Sequence, residues 1–346
     1  HRFLLGKSEK NIKIKSIKTT DEFSDNKSYE IEKILDFKED FSITPGNSKN
    51  IKKIKKLIID GDQFVDEDLI LEEEVIIRPG VTFHIKHKKS VIFKNKVFMQ
   101  GTKNQPIKFT PIKKGHYYGT VALLGKKVSG SYLNNVIFEN GSGNMSLEDI
   151  TFTSMLAIHD TNNIILEDIK LTQNNDFDDL MHIIYSKEIK LKNVEINNSK
   201  SDAIDIDLSK VDIDNLSIKN AGNDCLDLMM SDVTIKNSKL DNCGDKGISV
   251  GEKSTIFIEN FKVQNSNIGL AAKDNSYIKG AYLNFNKNKV HIDTYNKNWQ
   301  YGQIPSNVSL VDSKFFGNSN GINIFKTQGD NTIDLNNVII NGKVER

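Results

Sequence analysis

Apolar and polar residues alternate along this chain in short phrases that return at a fixed interval. The pairs Met181/Ile183, Ile204/Ile206, Leu226/Leu228, Ile248/Val250 and Leu270/Ala272 each enclose one residue of another kind. From Ile204 onward the phrase recurs every 22 residues. Strand geometry sends residues i and i+2 to one face and the residue between them to the other. The pairs are therefore predicted to face a core, and the enclosed residues to face outward. Between the phrases run second strands, IKLKNVEI, VDIDNLSI, VTIKNSKL and STIFIENFKV, each followed by an Asn-rich turn. No repeat contains an apolar pattern long enough for a helix.

Short strands bounded by Asn, Gly, Asp and Ser at a period of 20–50 residues predict a stacked architecture. One coil cannot bury its own apolar face, but stacked coils share a continuous core. The prediction is an all-β fold, a parallel β-helix of about 22 residues per coil, right-handed as parallel crossovers almost always are. The repeat style covers 57–346. The stretch NNVIFENGSGNMSLEDITFTSMLAIHD reads as upstream coils, and NKNWQYGQIPSN as a longer loop carrying Trp299. Residues 1–56 lack the repeat and read as an N-terminal cap or linker over the open end of the solenoid.

Composition narrows the picture. Lys+Arg number 47 against Asp+Glu 46, a net charge of +1, which excludes a nucleic-acid binder driven by bulk charge. No apolar run approaches the length of a membrane-spanning helix. The chain opens at His1-Arg2 with no signal peptide, as a mature or trimmed protein would. Cys225 and Cys243 differ by 18 residues rather than one coil, so they are not stacked, and two free thiols are expected. No CxxC, GxGxxG or GxxxxGK[ST] spacing argues for zinc fingers or nucleotides.

The enclosed, outward residues carry the candidate chemistry. One column holds His182, Asp205 and Asp227, and a second, two residues on, holds His159, Asp207, Lys273 and Asp293. Asp202, Asp224 and Lys246 share a third register at the bend before each strand, with Asp245 beside them. Adjacent parallel strands lie about 4.8 Å apart, so like charges in a column destabilise the sheet unless something compensates them. Asp and Asn at bends also cap turns through hydrogen bonds to the backbone, which accounts for Asp202, Asp224, Asp245 and Lys246 without chemistry. Asp205, Asp207 and Asp227 point outward in mid-strand and resist that account.

The coil style resembles the right-handed parallel β-helix superfamily of pectate lyases and polygalacturonases. More narrowly, LILEEEVIIRPGVTFHI, SDAIDID, NDCLDLM, GDKGISVGEKS, IGLAAKD and NKNWQYG resemble the β-helix domain associated with bacterial CotH-type proteins. The resemblance implies a secreted, periplasmic or cell-surface protein. Acidic clusters on successive coils with a lysine beyond are similar to the β-helical lyases of family nine. Those usually show paired acids such as DDG, whereas NDCLDL has one Asp at that place.

Three functions compete. The first is a polysaccharide lyase, or an epimerase sharing its first step, acting on an anionic polysaccharide. Calcium would be held by Asp202, Asp205, Asp224 and Asp227, since a hard dication with six to eight oxygen ligands relieves such crowding. Lys273 is the preferred base and Lys246 the alternative, with Asp205, Asp227 and His182 in supporting roles. His159, Asp207, Asp245 and Trp299 would line the substrate groove. The second is a glycoside hydrolase using paired Asp residues as acid and base or nucleophile. The third is a non-catalytic, polysaccharide-binding or structural solenoid. A monomer is expected in each case.

Overall fold

In the computed structural model the described residues are 56–345, less 144, 148, 175, 177, 299, 301–303 and 318–323. The predicted cap at 1–56 therefore lies outside the described residues, Lys56 excepted. The remainder is a right-handed parallel β-solenoid of about 11 turns. Eleven short strands form one sheet, among them Ser154–His159, Asp179–Ile184, Ile204–Asp207, Leu226–Met229, Lys246–Gly251, Ile268–Lys273 and Val290–Tyr295. Longer strands such as Lys187–Ser199, Lys210–Ala221 and Asp232–Cys243 stack into an eighteen-stranded sheet. The coil-to-coil register is 22 residues where the sequence repeats most regularly: Ile204 pairs with Leu226, and Leu226 with Ile248.

The long strands turn a corner within themselves. In Lys210–Ala221 the alternation of buried and exposed positions slips at Asp214-Asn215, where two exposed residues follow one another. Asn193, Asn215, Asn237 and Asn260 occupy this corner on successive coils, each with a φ between 49° and 59°. A second corner stacks Asn198, Asn220, Asn242 and Asn265, at φ 58–60°. Asn tolerates this left-handed region better than other side chains with a Cβ. It also bonds to the coil beside it, as Asn215 Nδ2 does to Asn193 Oδ1 and Asn242 Nδ2 to Asn220 Oδ1, both at 2.9 Å. The Asn-rich turns read from the sequence are the second of these ladders, whereas the first lies inside the segments read as second strands, IKLKNVEI and its equivalents.

The predicted inward pairs are all buried at 1% exposure or less. A stack of serines, not anticipated, lines a third corner: the amides of Ser186, Ser209 and Ser231 donate to the hydroxyls of Ser209, Ser231 and Ser254 at 3.0–3.1 Å. It satisfies buried amides where the ladder is interrupted.

Two expectations are corrected. Cys225 and Cys243 form a disulfide, with Cα atoms 5.4 Å apart. Cys243 pairs with Ala221 on the preceding coil, and Cys225 follows Ala221 around a four-residue bend. The 18-residue spacing is thus one coil less the bend, which brings the sulfurs together across the corner. Second, Met145–Leu147 and Ile150–Phe152 do not join a coil but pair antiparallel as a hairpin. With Ile92, Ala122, Leu124 and Ala157 the hairpin forms a separate apolar cluster. These four are outward positions of the short-strand sheet, so the hairpin covers its upstream end.

Candidate functional site

The outer face of the short-strand sheet, downstream of that hairpin, is where the candidate residues collect. Along the first column Ala157, His182, Asp205, Asp227, Ser249, Ala271 and Asp293 stand in register on successive strands. Asp293 therefore belongs with Asp205 and Asp227, not with the second column where the phrase spacing placed it. The 22-residue step itself puts it there, since Asp293 follows Ala271 by one regular coil. In the second column His159, Ile184, Asp207, Met229 and Gly251 align, and Lys273 pairs with Tyr295.

The bend residues serve the backbone. Asp202 Oδ1 accepts from the Asp224 amide at 2.7 Å and from Asn223 Nδ2 at 2.8 Å. Asp224 Oδ1 accepts from the Lys246 amide at 2.9 Å. Lys246 Nζ lies 3.4 Å from Asp224 and is hydrogen-bonded to Asp245. Burial pushes the Lys246 ammonium down, but these two carboxylates outweigh it and hold its pKa above the ordinary value. Lys246 is thus an ion-paired lysine, poorly suited to accept a proton. Asp245 stands beside it on the surface.

Lys273 is different. It is 3% exposed and its Nζ lies 3.8 Å from Asp227 Oδ1. It reaches this carboxylate, two coils upstream, because Gly251 leaves its path clear: a Cβ there would stand 3.1 Å from Lys273 Cε. Asp227 Oδ1 also accepts the Leu228 amide at 3.0 Å.

The densest convergence lies one to two coils upstream of the predicted centre. His182 Nε2 is 3.5 Å from Asp207 Oδ2 and 3.9 Å from Asp205 Oδ2. Next to this triad, Asp178, Asp179 and Asp202 bring carboxylate oxygens within 4.8 Å of one another. Thr153 Oγ1 connects the groups, donating to Asp179 Oδ2 at 3.2 Å and lying 3.5 Å from His182 Nδ1. His159 packs its ring edge-on against His182 with centroids 5.0 Å apart, and Phe152 of the hairpin covers His159.

Burial and crowding raise the acids here. Asp205 is pushed up to about 9 by burial first, then by Asp207, Asp179 and Asp227. Asp179 is pushed up to about 8 by burial and by Asp178 and Asp202. Burial raises Asp224 to about 6 against the pull of Lys246. It raises Asp202 as well, against the Asp224 amide. Burial, then His182, lowers His159 to about 3, so that ring stays neutral. Such a face is relieved either by protons on the carboxylates or by a cation among them.

The four aspartates predicted to hold calcium do not converge on one point. Oxygens of Asp202, Asp224 and Asp227 already accept amide hydrogens, and Asp224 and Asp227 each face a lysine. Asp202 and Asp205 fall in two different groups of converging ligand atoms and Asp224 and Asp227 in neither, so the quartet does not form one cage for the ion. Sequence reasoning left Asp178 and Asp179 out of the site. The phrase DFDDLMHI holds the paired acids that were looked for one to two coils further on, and that pairing was the available signal. Trp299 lies outside the described residues.

A family model described as a right handed beta helix region matches residues 180–338, a little under half of the chain. No curated protein matches. Among solved structures, the Dettilon tailspike protein aligns with a TM-score of 0.50 at 10% identity, over 82% of this chain and 62% of its own. Tailspike protein 2 of bacteriophage CBA120 aligns at 0.40 and 13% identity, over 79% and 43%. The endo-xylogalacturonan hydrolase of Aspergillus tubingensis aligns at 0.45 and 14%, over 78% and 84%. The chain thus spans less than two thirds of either tailspike structure. At these identities the likeness is one of fold.

Proposed function

We propose that this chain is a carbohydrate-active β-helix protein that takes a polysaccharide across the outer face of its short-strand sheet and cleaves it there. The Asp227–Lys273 pair carries the reading. An outward lysine, nearly fully buried, is aimed along an acidic column at a carboxylate whose side chain is one-third exposed. Asp227 is the member a substrate touches, and Lys273 lies behind it. In this reading Asp227 accepts the C5 proton of a uronate, the C4–C5 double bond forms as the C4–O glycosidic bond breaks, and the departing oxygen takes a proton from solvent, Lys273 compensating the charge on Asp227. An acid-rich face admits an anionic chain only where positive charge answers it; Lys273 and Lys246 supply part of this.

Hydrolysis is the second reading, favoured by one observation: Asp205 and Asp227 stand directly opposite on neighbouring strands, and paired carboxylates are what glycoside hydrolases use. The Cys225–Cys243 disulfide supports a secreted or cell-surface location, because such bonds persist in oxidising compartments. Kinship with the β-helix domain of CotH-type proteins is part of the same proposal.

The test is incubation with a panel of uronate and neutral polysaccharides, with and without divalent cations, followed by mass analysis. Unsaturated fragments support elimination. Fragments that gained water support hydrolysis. Intact polymer throughout overturns cleavage and leaves a binding solenoid, to be examined by glycan-array binding.

A further inference from the structure

We propose that His182, Asp205 and Asp207 form a binding site for a four-coordinate divalent transition ion of the zinc type, not for calcium. His182 is 9% exposed, and its Nε2 has no hydrogen-bond partner. That nitrogen faces the carboxylates of Asp205 and Asp207, and the three ligand atoms lie within 4.8 Å of one another. A buried polar atom without a partner is costly. Here an imidazole nitrogen and two carboxylates converge, and no hydrogen bond satisfies the nitrogen.

The ring's other nitrogen indicates which tautomer is present. The Thr153 hydroxyl donates to Asp179, so its oxygen is left to accept from His182 Nδ1, 3.5 Å away. A proton on Nδ1 leaves the Nε2 lone pair pointing at the two carboxylates. Orientation of a ligating imidazole through its second nitrogen is how metal sites fix such rings. Phe152 and His159 close the ring in from the upstream side.

The spacing suits a small ion. With zinc–nitrogen and zinc–oxygen bonds of about 2.0–2.1 Å, tetrahedral ligand atoms lie roughly 3.4 Å apart. The separations from Nε2 are 3.5 Å and 3.9 Å, and all three ligand atoms lie within 4.8 Å of one another, so closure draws the two carboxylates in around the ion. One imidazole and two carboxylates suit zinc or a neighbouring first-row ion, whereas calcium takes six to eight oxygens. Three protein ligands leave a fourth position open, as in catalytic zinc sites. A role for that position in cleavage rests on the reading of the preceding subsection, whereas the site itself does not.

Chelator-treated protein is titrated with zinc by calorimetry, and with cobalt(II) while visible absorption is recorded. The expected result is one equivalent bound, with the intense absorption of tetrahedral cobalt. Binding should weaken by about 100-fold or more in His182→Gln and in Asp207→Asn, because each loses a ligand. Asp232→Asn, exposed on the long-strand sheet, should bind as the parent does. Thermal melts of the variants establish that they fold. No zinc binding by the parent, or equal binding in both ligand variants, overturns the site. Calcium binding tighter than zinc and unaffected by His182→Gln also overturns it, placing a hard ion on Asp178, Asp179 and Asp202. Zinc binding without cleavage of any polymer keeps the site and overturns the cleavage reading; cleavage without zinc binding does the reverse.

Discussion

Lys273 lies across Gly251, and that glycine is what allows its ammonium to reach Asp227 two coils away. A methyl group on Gly251 would stand 3.1 Å from Lys273 Cε and 3.3 Å from the Leu228 carbonyl oxygen. The closer neighbour is part of a flexible side chain, so the fold should give way there first. Gly251→Ala is expected to cost roughly 1 kcal/mol or less in stability. It should slow the proposed cleavage by about tenfold or more, the equivalent of roughly 1.4 kcal/mol. Thermal melts beside initial rates on the best polymer of the panel check this; a rate equal to the parent's would remove Lys273 from the reaction.

Asp202 should prove a structural residue whose charge is dispensable. Its Oδ1 receives the Asp224 amide and the Asn223 side chain. Asp202→Ala strands a buried amide and is expected to cost about 1–3 kcal/mol. Asp202→Asn keeps an acceptor and removes a negative charge beside Asp178 and Asp179, so its stability should equal or exceed the parent's. Urea unfolding of the two variants distinguishes them.

Stability should depend on pH through Asp224 and His291 with opposite signs. Asp224 has a folded pKa of about 6, raised chiefly by burial from the ordinary 3.8. Between pH 4 and 6 the folded state holds a proton that the unfolded chain has lost. Its contribution therefore falls as pH rises through that window, by on the order of 3 kcal/mol in all. His291, lowered by burial from 6.5 to about 4, works the other way: stability is lost as pH falls from 6.5 to 4. Asp179 and Asp205 act in the same direction as Asp224, and His159 in the same direction as His291, in both proteins. Asp224→Asn removes one falling contribution, so between pH 4 and 6 its melting temperature should fall less, or rise more, with pH than the parent's. A profile unchanged by the substitution would refute the assignment.

The disulfide should contribute measurably. Linking residues 18 apart restricts the unfolded chain by about 3 kcal/mol. The double variant Cys225→Ser, Cys243→Ser, or reduction of the parent, should lower stability by that order in urea unfolding. Because Cys225 adjoins Asp224 at the bend, the Lys246–Asp224 pair is expected to loosen in the same variant.

Much of the architecture was legible in sequence because a parallel stack of like coils repeats its chemistry. Inward pairs such as Ile204/Ile206, the Asn corners and the Asp205–Asp227 register all follow from a period of 22 and a strand period of two. These are local rules, and the chain obeys them wherever coils keep one length. What the sequence did not disclose lies where coil length changes or where contacts cross between coils. The cysteines met because a bend subtracts four residues from a coil, whereas Asp293 simply keeps the 22-residue step from Ala271 that the phrase VHID obscured. The hairpin at Met145–Phe152 left the stack, and by packing on the outer sheet it covered His159, against which His182 packs. Only the tertiary structure could join Thr153, Asp179 and His182, or aim Lys273 across Gly251. Those relationships depend on side-chain reach and on which atoms are left without water, and neither is written in a repeat.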